Sequence, residues 1–449
     1  MTSEPVAIHW FRSDLRLHDQ PALFRHARAG GRLLLVYIHD PAQDATLRWG
    51  FCRMGGHRRR FLADSLQDLA RSLAALGQPL HVLRGRPRDV LPALAAATGA
   101  QSVTCEVIPA PEEEAELAAV RRAGLAVESI DHASLLDPAD LPFQVSALPQ
   151  VFTAFRKRVE AAGVVPREPL PEPKELPAPL ALPQPLPAAC GELCAGPLLP
   201  GGVAAFLGAD LQASDDARSA FPLRSAAFAG GESAALRHLE QYFEGDLPQR
   251  YKQTRNGLIG TAYSTKLSPW LAVGALSARR VYAALRQHEL RRGATEDTYW
   301  IWFELLWRDY FRFLHAQHGA RLYRASGLSG LAPPPHDPAA FLRWREGRTA
   351  EDFIDSGMRE LAATGYLSNR LRQNVASYLI NDLQGDFRAG AAWFESCLID
   401  YDPCSNQGNW LYLAGRGTDP RDGRRFDPRR QAAMYDAEGA YRGLWKPPG

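Results

Sequence analysis

What most narrows the possible folds is an alternation confined to residues 1–135. VAIHWF, RLLLVYIHD, PLHVLRG, SVTCEV and LAVESID have the length and β-branched content of strands. LFRHARAGG, RRFLADSLQDLARSLAALG, RDVLPALAAATG and EEEAELAAVRRAG, which separate them, carry apolar residues at helical spacing. RLLLVYIHD is apolar almost throughout, the pattern of a strand buried on both faces. Repeated strand–helix–strand units require a parallel, Rossmann-like sheet with helices on both sides. No G-x-G-x-x-G follows the first strand and no G-x4-G-K-[ST] occurs, which argues against an ordinary dehydrogenase or NTPase.

The alternation stops at a run of prolines, PREPLPEPKELPAPLALPQPLP, expected to be extended. Residues 136–203 therefore form an interdomain connector, and residues 204–449, helical almost throughout, form an all-α second domain. Eight of the ten tryptophans lie in that half, from Trp270 onward, more than an aromatic core alone calls for beside so many polar residues. A formal net charge of +2 announces no nucleic-acid binder, although arginine dominates the cations. No apolar run approaches the ~20 residues of a membrane span. No signal peptide is seen, and six cysteines are few for a disulfide scaffold. Cys190 and Cys194 form a lone C-x3-C without a matching pair, so no metal site is expected. These features predict a reducing, cytoplasmic location.

Four stretches of the helical half are rich in polar groups. YSTKLSPW sets Ser264, Thr265, Lys266 and Ser268 before an amphipathic segment, where hydroxyls and N–H groups suit a phosphate or a plain N-cap. YWIWFELLWRDYFRF places Glu304 and Arg308 four apart on one helix face with Trp300, and Trp307 near it. Such a pair among aromatics is expected to be buried, and costly unless used. TGYLSNRLRQNVASYL carries Asn369, Arg372 and Gln373 within about one turn. DYDPCSNQGNW holds Asp400, Asp402, Asn406 and Trp410; a calcium loop is discounted because Ser405 and Leu411 stand where glycine and a bidentate glutamate belong. Together the four offer hydroxyls for a diphosphate and acids and amides for a heteroaromatic ring, the set for a buried flavin or a similar large cofactor.

These stretches, with WFRSDLRLHD, GGESAALRHLEQYF, WFESCLIDYDPCSNQGNW and AGRGTDPR in the same order, resemble the photolyase/cryptochrome flavoprotein family, in particular cryptochromes of the DASH type. The resemblance covers nearly the whole chain. It implies an α/β antenna domain and a helical catalytic domain around one non-covalent FAD. It implies that Tyr251 and Ser264, Thr265, Lys266, Leu267 and Ser268 meet the FAD phosphates and ribose. Glu304, Arg308, Asn369 and Arg372 line the flavin site. Asp400 pairs with Arg372, Asp402 faces the flavin or ribose edge, Asn406 lies beside flavin N5, and Trp410 is the indole nearest the flavin. Glu304 and Trp307 match residues that meet a pyrimidine dimer. Gln373 and Tyr412 match the DASH pattern, and Arg255, Arg424 and Arg425 are expected phosphate contacts. Glu106 matches the acid that binds a folate antenna, 5,10-methenyltetrahydrofolate. The implied activity is that of a photolyase: light-driven electron transfer from FADH⁻ splits cyclobutane pyrimidine dimers, preferentially in single-stranded DNA. A monomer acting on DNA, with no membrane contact, is expected.

The rival expectation is a blue-light photoreceptor. The chain ends four residues after Trp445, without the long extension that signalling members often carry. A third reading, a nucleic-acid-binding flavoprotein without catalysis, stays open. A 6–4 photoproduct enzyme is disfavoured, since Leu367 and Ser368 stand where a histidine pair is expected. The chain departs from the family at its tryptophan relay: Phe387 and Pro334 occupy the middle and outer positions. Photoreduction is therefore expected to be weak, or rerouted through Trp393, Tyr401 or Trp344.

Overall fold

The computed structural model describes residues 4–211, 214–419 and 423–447. Strands β1 (Val6–Phe11), β2 (Arg32–His39), β3 (Leu80–Arg84), β4 (Ser102–Glu106) and β5 (Val127–Ile130) are parallel, in the order β5-β4-β1-β2-β3. The continuous apolar run of β2 has its reason here. Leu33 and Leu35 pack with Leu66 and Leu69 on one face of the sheet, while Leu34 and Val36 pack with Val90, Leu94 and Val120 on the other. The sheet order reverses direction between β1 and β4. Their carboxyl ends, at Arg12, Ser13 and Glu106, open a crevice of the kind where α/β sheets bind ligands.

The proline-rich stretch is extended but is not a free connector. Ala178–Pro179 pairs with the start of β2, and Glu192–Leu193 adds an antiparallel strand beside β3. The helix Phe152–Ala161 lies ahead of it, packed into the core of the helical half. That core is built around one long helix, Glu296–His318. Its start is set locally: Thr295 and Thr298 exchange side-chain-to-backbone hydrogen bonds as a capping box, with Glu296 and Asp297 in the first turn.

The two halves are clasped by backbone. Leu15 N–H donates to Val273 O at 3.3 Å and Arg16 Nη1 to Gly274 O at 2.9 Å. Gly274 has φ +68°, and a Cβ there would lie 1.8 Å from Ser13 O, so only glycine fits this approach. Asp309 of the long helix accepts from Leu135 and Leu136 N–H at 2.8 and 2.7 Å. The long helix is thus held at a fixed height against the α/β half.

Candidate functional site

Beside the long helix, among the helices of the second half, is a cavity of about 400 Å³, within the range of cofactor sites. The four polar stretches, the first and last of them 130 residues apart in the chain, converge on it. Tyr251, Arg255, Ser264, Thr265, Lys266, Leu267, Ser268, Glu304, Trp307, Arg308, Asn369, Arg372, Gln373, Asp400, Asp402 and Tyr412 all line its wall.

Local backbone chemistry places these groups. Ser264 and Lys266 both take φ +57°, so the STKLS loop alternates handedness and runs into the short helix Ser268–Ala272. Asp402 caps the helix Pro403–Leu413, accepting from Ser405 N–H at 2.6 Å, with Pro403 at the first helical position. The DYDPCSNQGNW stretch is therefore a turn and a helix start at once, with both acids directed to the cavity.

The charges are arranged in pairs. Asp400 Oδ2 accepts from Arg372 Nη2 at 2.9 Å and from Ser268 Oγ at 2.7 Å. Burial lowers the affinity of Arg372 for its proton, but Asp400 outweighs it and raises its pKa. Burial pushes the Asp402 carboxyl up, yet Arg308 and Arg312 together with the Ser405 N–H hold it below the usual range. The helix spacing predicted a Glu304–Arg308 pair, and this is not what forms. Glu304 is ion-paired with Arg255, while Arg308 turns to the Ala133 carbonyl at 2.5 Å. Arg255, its guanidinium laid on the Trp300 ring at 4.6 Å, is held where it reaches Glu304. Burial raises the Glu304 pKa, and Arg255 pulls it part of the way back.

Three buried polar atoms on this wall have no hydrogen-bond partner among the described residues: Lys266 Nζ, Tyr263 OH and Asp400 Oδ1. Lys266 Nζ rests on the Tyr263 ring, 3.2 Å from its centroid. Burial drives its pKa well down, and Glu360 and Asp400, which pull it up, do not offset this. Unsatisfied donors and an acceptor around one cavity fit a large ligand carrying both anionic oxygens and ring N–H groups.

Of the remaining expected site residues, all but Arg425 lie on three adjoining cavities. Asn406 and Trp410 line a recess of about 90 Å³ that shares Arg372, Asp400 and Asp402 with the main one; Asn406 Nδ2 donates to Ala391 O at 3.0 Å. Arg424 lies on a neighbouring cavity of about 230 Å³, bonded to Tyr412 OH. Arg425 pairs with Asp382 at the surface, at 2.8 Å, and residues 420–422, just before it in the chain, lie outside the described residues. Glu106 lines a third cavity, about 140 Å³, between the two halves at the crevice of the sheet. Arg308 and Asp402 form walls of both this cavity and the main one.

Glu106 accepts from Ser13 N–H at 3.1 Å, and burial, aided by Asp14, pushes its carboxyl up to about 8. The folded chain thus keeps a proton that the unfolded chain releases near 4.5, and stability is lost as pH rises through that interval. Between pH 6 and 7 the loss from this group is expected to approach ~1.4 kcal/mol per pH unit, and Glu106→Gln should flatten it. Thermal unfolding of both proteins across that window checks this.

Sequence reasoning missed Phe152, whose ring stacks on Trp307 at 3.8 Å and 12°. It also missed Tyr263, Tyr366 and Asn409 on the cavity wall. Asn409 was within reach, since it lies one helical turn beyond Ser405; nothing in the sequence marks Phe152.

A parallel α/β half clasped to a helical half that holds this cavity defines the class: a two-domain protein with a site for one large, anionic, ring-bearing cofactor. The family model described as DNA photolyase matches residues 7–175, and that described as FAD binding domain of DNA photolyase matches residues 300–448. The cryptochrome DASH of Gloeobacter violaceus is 43% identical, over 100% of this chain and 86% of its own length. That of Xenopus laevis is also 43% identical, over 98% and 82%. The solved Synechocystis cryptochrome superposes with a TM-score of 0.89 at 39% identity, covering 99% of this chain and 89% of that one. A bacterial class III photolyase from Agrobacterium tumefaciens gives 0.77 at 29%, covering 99% and 87%. The chain belongs to the photolyase/cryptochrome family and, within it, to the cryptochrome DASH group. No helix among the described residues is long and apolar enough to cross a membrane.

Proposed function

We propose that this protein is a light-driven carbon–carbon lyase that splits cyclobutane pyrimidine dimers, preferentially in single-stranded DNA. The observation that carries the reading is the mouth of the cavity: Glu304 and Trp307 stand on its wall, with Arg255 held over Trp300 beside them. A dimer is an apolar, stacked pair of rings edged with carbonyls. Trp307 offers it a flat face, stiffened from behind by Phe152. Glu304 offers a proton donor to a carbonyl that gains negative charge. Arg255 is the cation a lesion phosphate would draw off, which removes the charge that keeps the Glu304 pKa down.

FAD fits the main cavity. Lys266 and the Ser264–Ser268 loop would hold its diphosphate, and Asp400, Asp402, Asn406 and Arg372 its ring and ribose. Bound and reduced, it would supply the electron that blue light drives onto the dimer. Lifting the dimer out of a stack is cheapest in a single strand, which is the basis for the strand preference. The interdomain cavity suits the bicyclic head of a folate such as 5,10-methenyltetrahydrofolate, with Glu106, neutral through the usual pH range, able both to donate and to accept.

The test is dimer loss from single- and double-stranded oligonucleotides, in blue light and in the dark, with chemically reduced holoprotein. Light-dependent loss, faster on the single strand, is expected. No loss from either strand by reduced, flavin-loaded protein would point instead to a photoreceptor. Phe152→Ala should weaken lesion binding about three- to tenfold, the worth of one aromatic pair, measured by fluorescence anisotropy in the dark.

A further inference from the structure

Trp410 is buried, and the aromatic rings in contact with it among the described residues are Phe394, at 5.1 Å, and Trp344, at 6.4 Å and 76°. Phe387 is not among these contacts, and phenylalanine is much harder to oxidise than tryptophan. Trp344 is fully buried, its indole N–H donating to Val375 O at 2.9 Å. Outward from it stand Phe341, at 5.7 Å, and Phe51, which carry no hole themselves and which a hop to the half-buried Trp393 has to cross. The Arg345 guanidinium lies over that end, 5.1 Å from the Trp393 ring and 5.4 Å from Phe51. A cation so placed opposes a positive hole on Trp393. A carbonyl cannot take the proton of an oxidised indole, so a hole on Trp344 stays a radical cation.

We propose that Trp344 is the second electron carrier of this protein and that Arg345 gates the onward hop to Trp393. The proposal rests on FAD binding and not on dimer splitting. Trp410 gives one electron to the light-excited, oxidised isoalloxazine, and Trp344 gives one electron to the Trp410 radical cation. No bond breaks in either hop. An external thiol refills the relay, two thiols forming one disulfide and releasing two protons for every two electrons. Tyr401, half-buried with the Arg58 guanidinium 4.4 Å from its ring, is a poorer seat for a hole.

The test uses holoprotein with oxidised FAD and excess dithiothreitol, without oxygen. It follows the tryptophan radical by transient absorption and flavin bleaching under continuous blue light. Trp344→Phe is expected to shorten the radical lifetime and slow bleaching about tenfold, one decade being the effect of ~1.4 kcal/mol. Arg345→Met, a change at the surface that keeps the aliphatic stem, is expected to speed bleaching severalfold. A Trp344→Phe protein that retains flavin and keeps the wild-type radical lifetime overturns the proposal. If that variant loses its flavin, Arg345→Met decides: an unchanged bleaching rate overturns the proposal. Dimer splitting does not enter either readout, so failure of the lyase reading leaves this test intact.

Discussion

Glu304→Ala, loaded with FAD, chemically reduced and illuminated, is expected to lose dimer splitting by on the order of a hundredfold, the usual worth of a positioned proton donor. It should still bind flavin, because the polar anchors of the cavity lie on other segments: Asp400, Arg372, Ser268 and Lys266. Glu304→Gln keeps a hydrogen-bond donor and should fall between the two. The pH dependence separates a donor from a spacer. Burial raises the Glu304 pKa, so the protonated form persists above the usual glutamate range. Activity through that form falls as pH rises through the raised pKa, and Glu304→Gln should show a flat profile over the same interval. Steady-state dimer loss against pH checks both. A Glu304→Ala protein that retains flavin and splits dimers at the wild-type rate would refute the role.

Asp400→Asn is expected to have the largest effect on the protein itself. The Asp400 carboxylate is nearly inaccessible and accepts from both Arg372 and Ser268. Its amide would leave the Arg372 guanidinium without its counter-charge in a cavity wall. Breaking a buried pair in this way costs about 3 kcal/mol or more. Arg372 retains some access through the cavity, which places the expectation at the low end of that range. Urea unfolding of the apoprotein measures the loss, and flavin-to-protein stoichiometry after gel filtration should fall with it. A double variant with Arg372→Met should recover part of the stability but not the flavin, because the orphaned charge is gone while the anchoring oxygen is not restored.

Much of the fold was legible. The βαβ period of the first half and the helical period of the second are local patterns, and each element formed where its run of residues lies. The site was legible to the extent that its parts are contiguous. The Ser264–Ser268 loop and the Asp400–Trp410 stretch each bring several groups to one place by turn and cap chemistry alone, and both line cavity walls. The pairing of the proline-rich run was not legible. Its composition speaks only of extension, and an extended strand pairs with whatever sheet edge lies nearby, which is a tertiary circumstance.

Sequence by itself thus determined the element types, the sheet's parallel sense and the segments that carry polar groups, because each depends on neighbours within a turn or a strand. Tertiary structure alone decided the partners. Glu304 took Arg255, 49 residues away, over Arg308 four residues along its own helix. Phe152 came to stand behind Trp307, and Trp344 beside Trp410. Helical spacing states which side chains share a face, but the direction and rotamer of each depend on what packs against that face. Charge pairing and electron transfer both depend steeply on those last few ångströms.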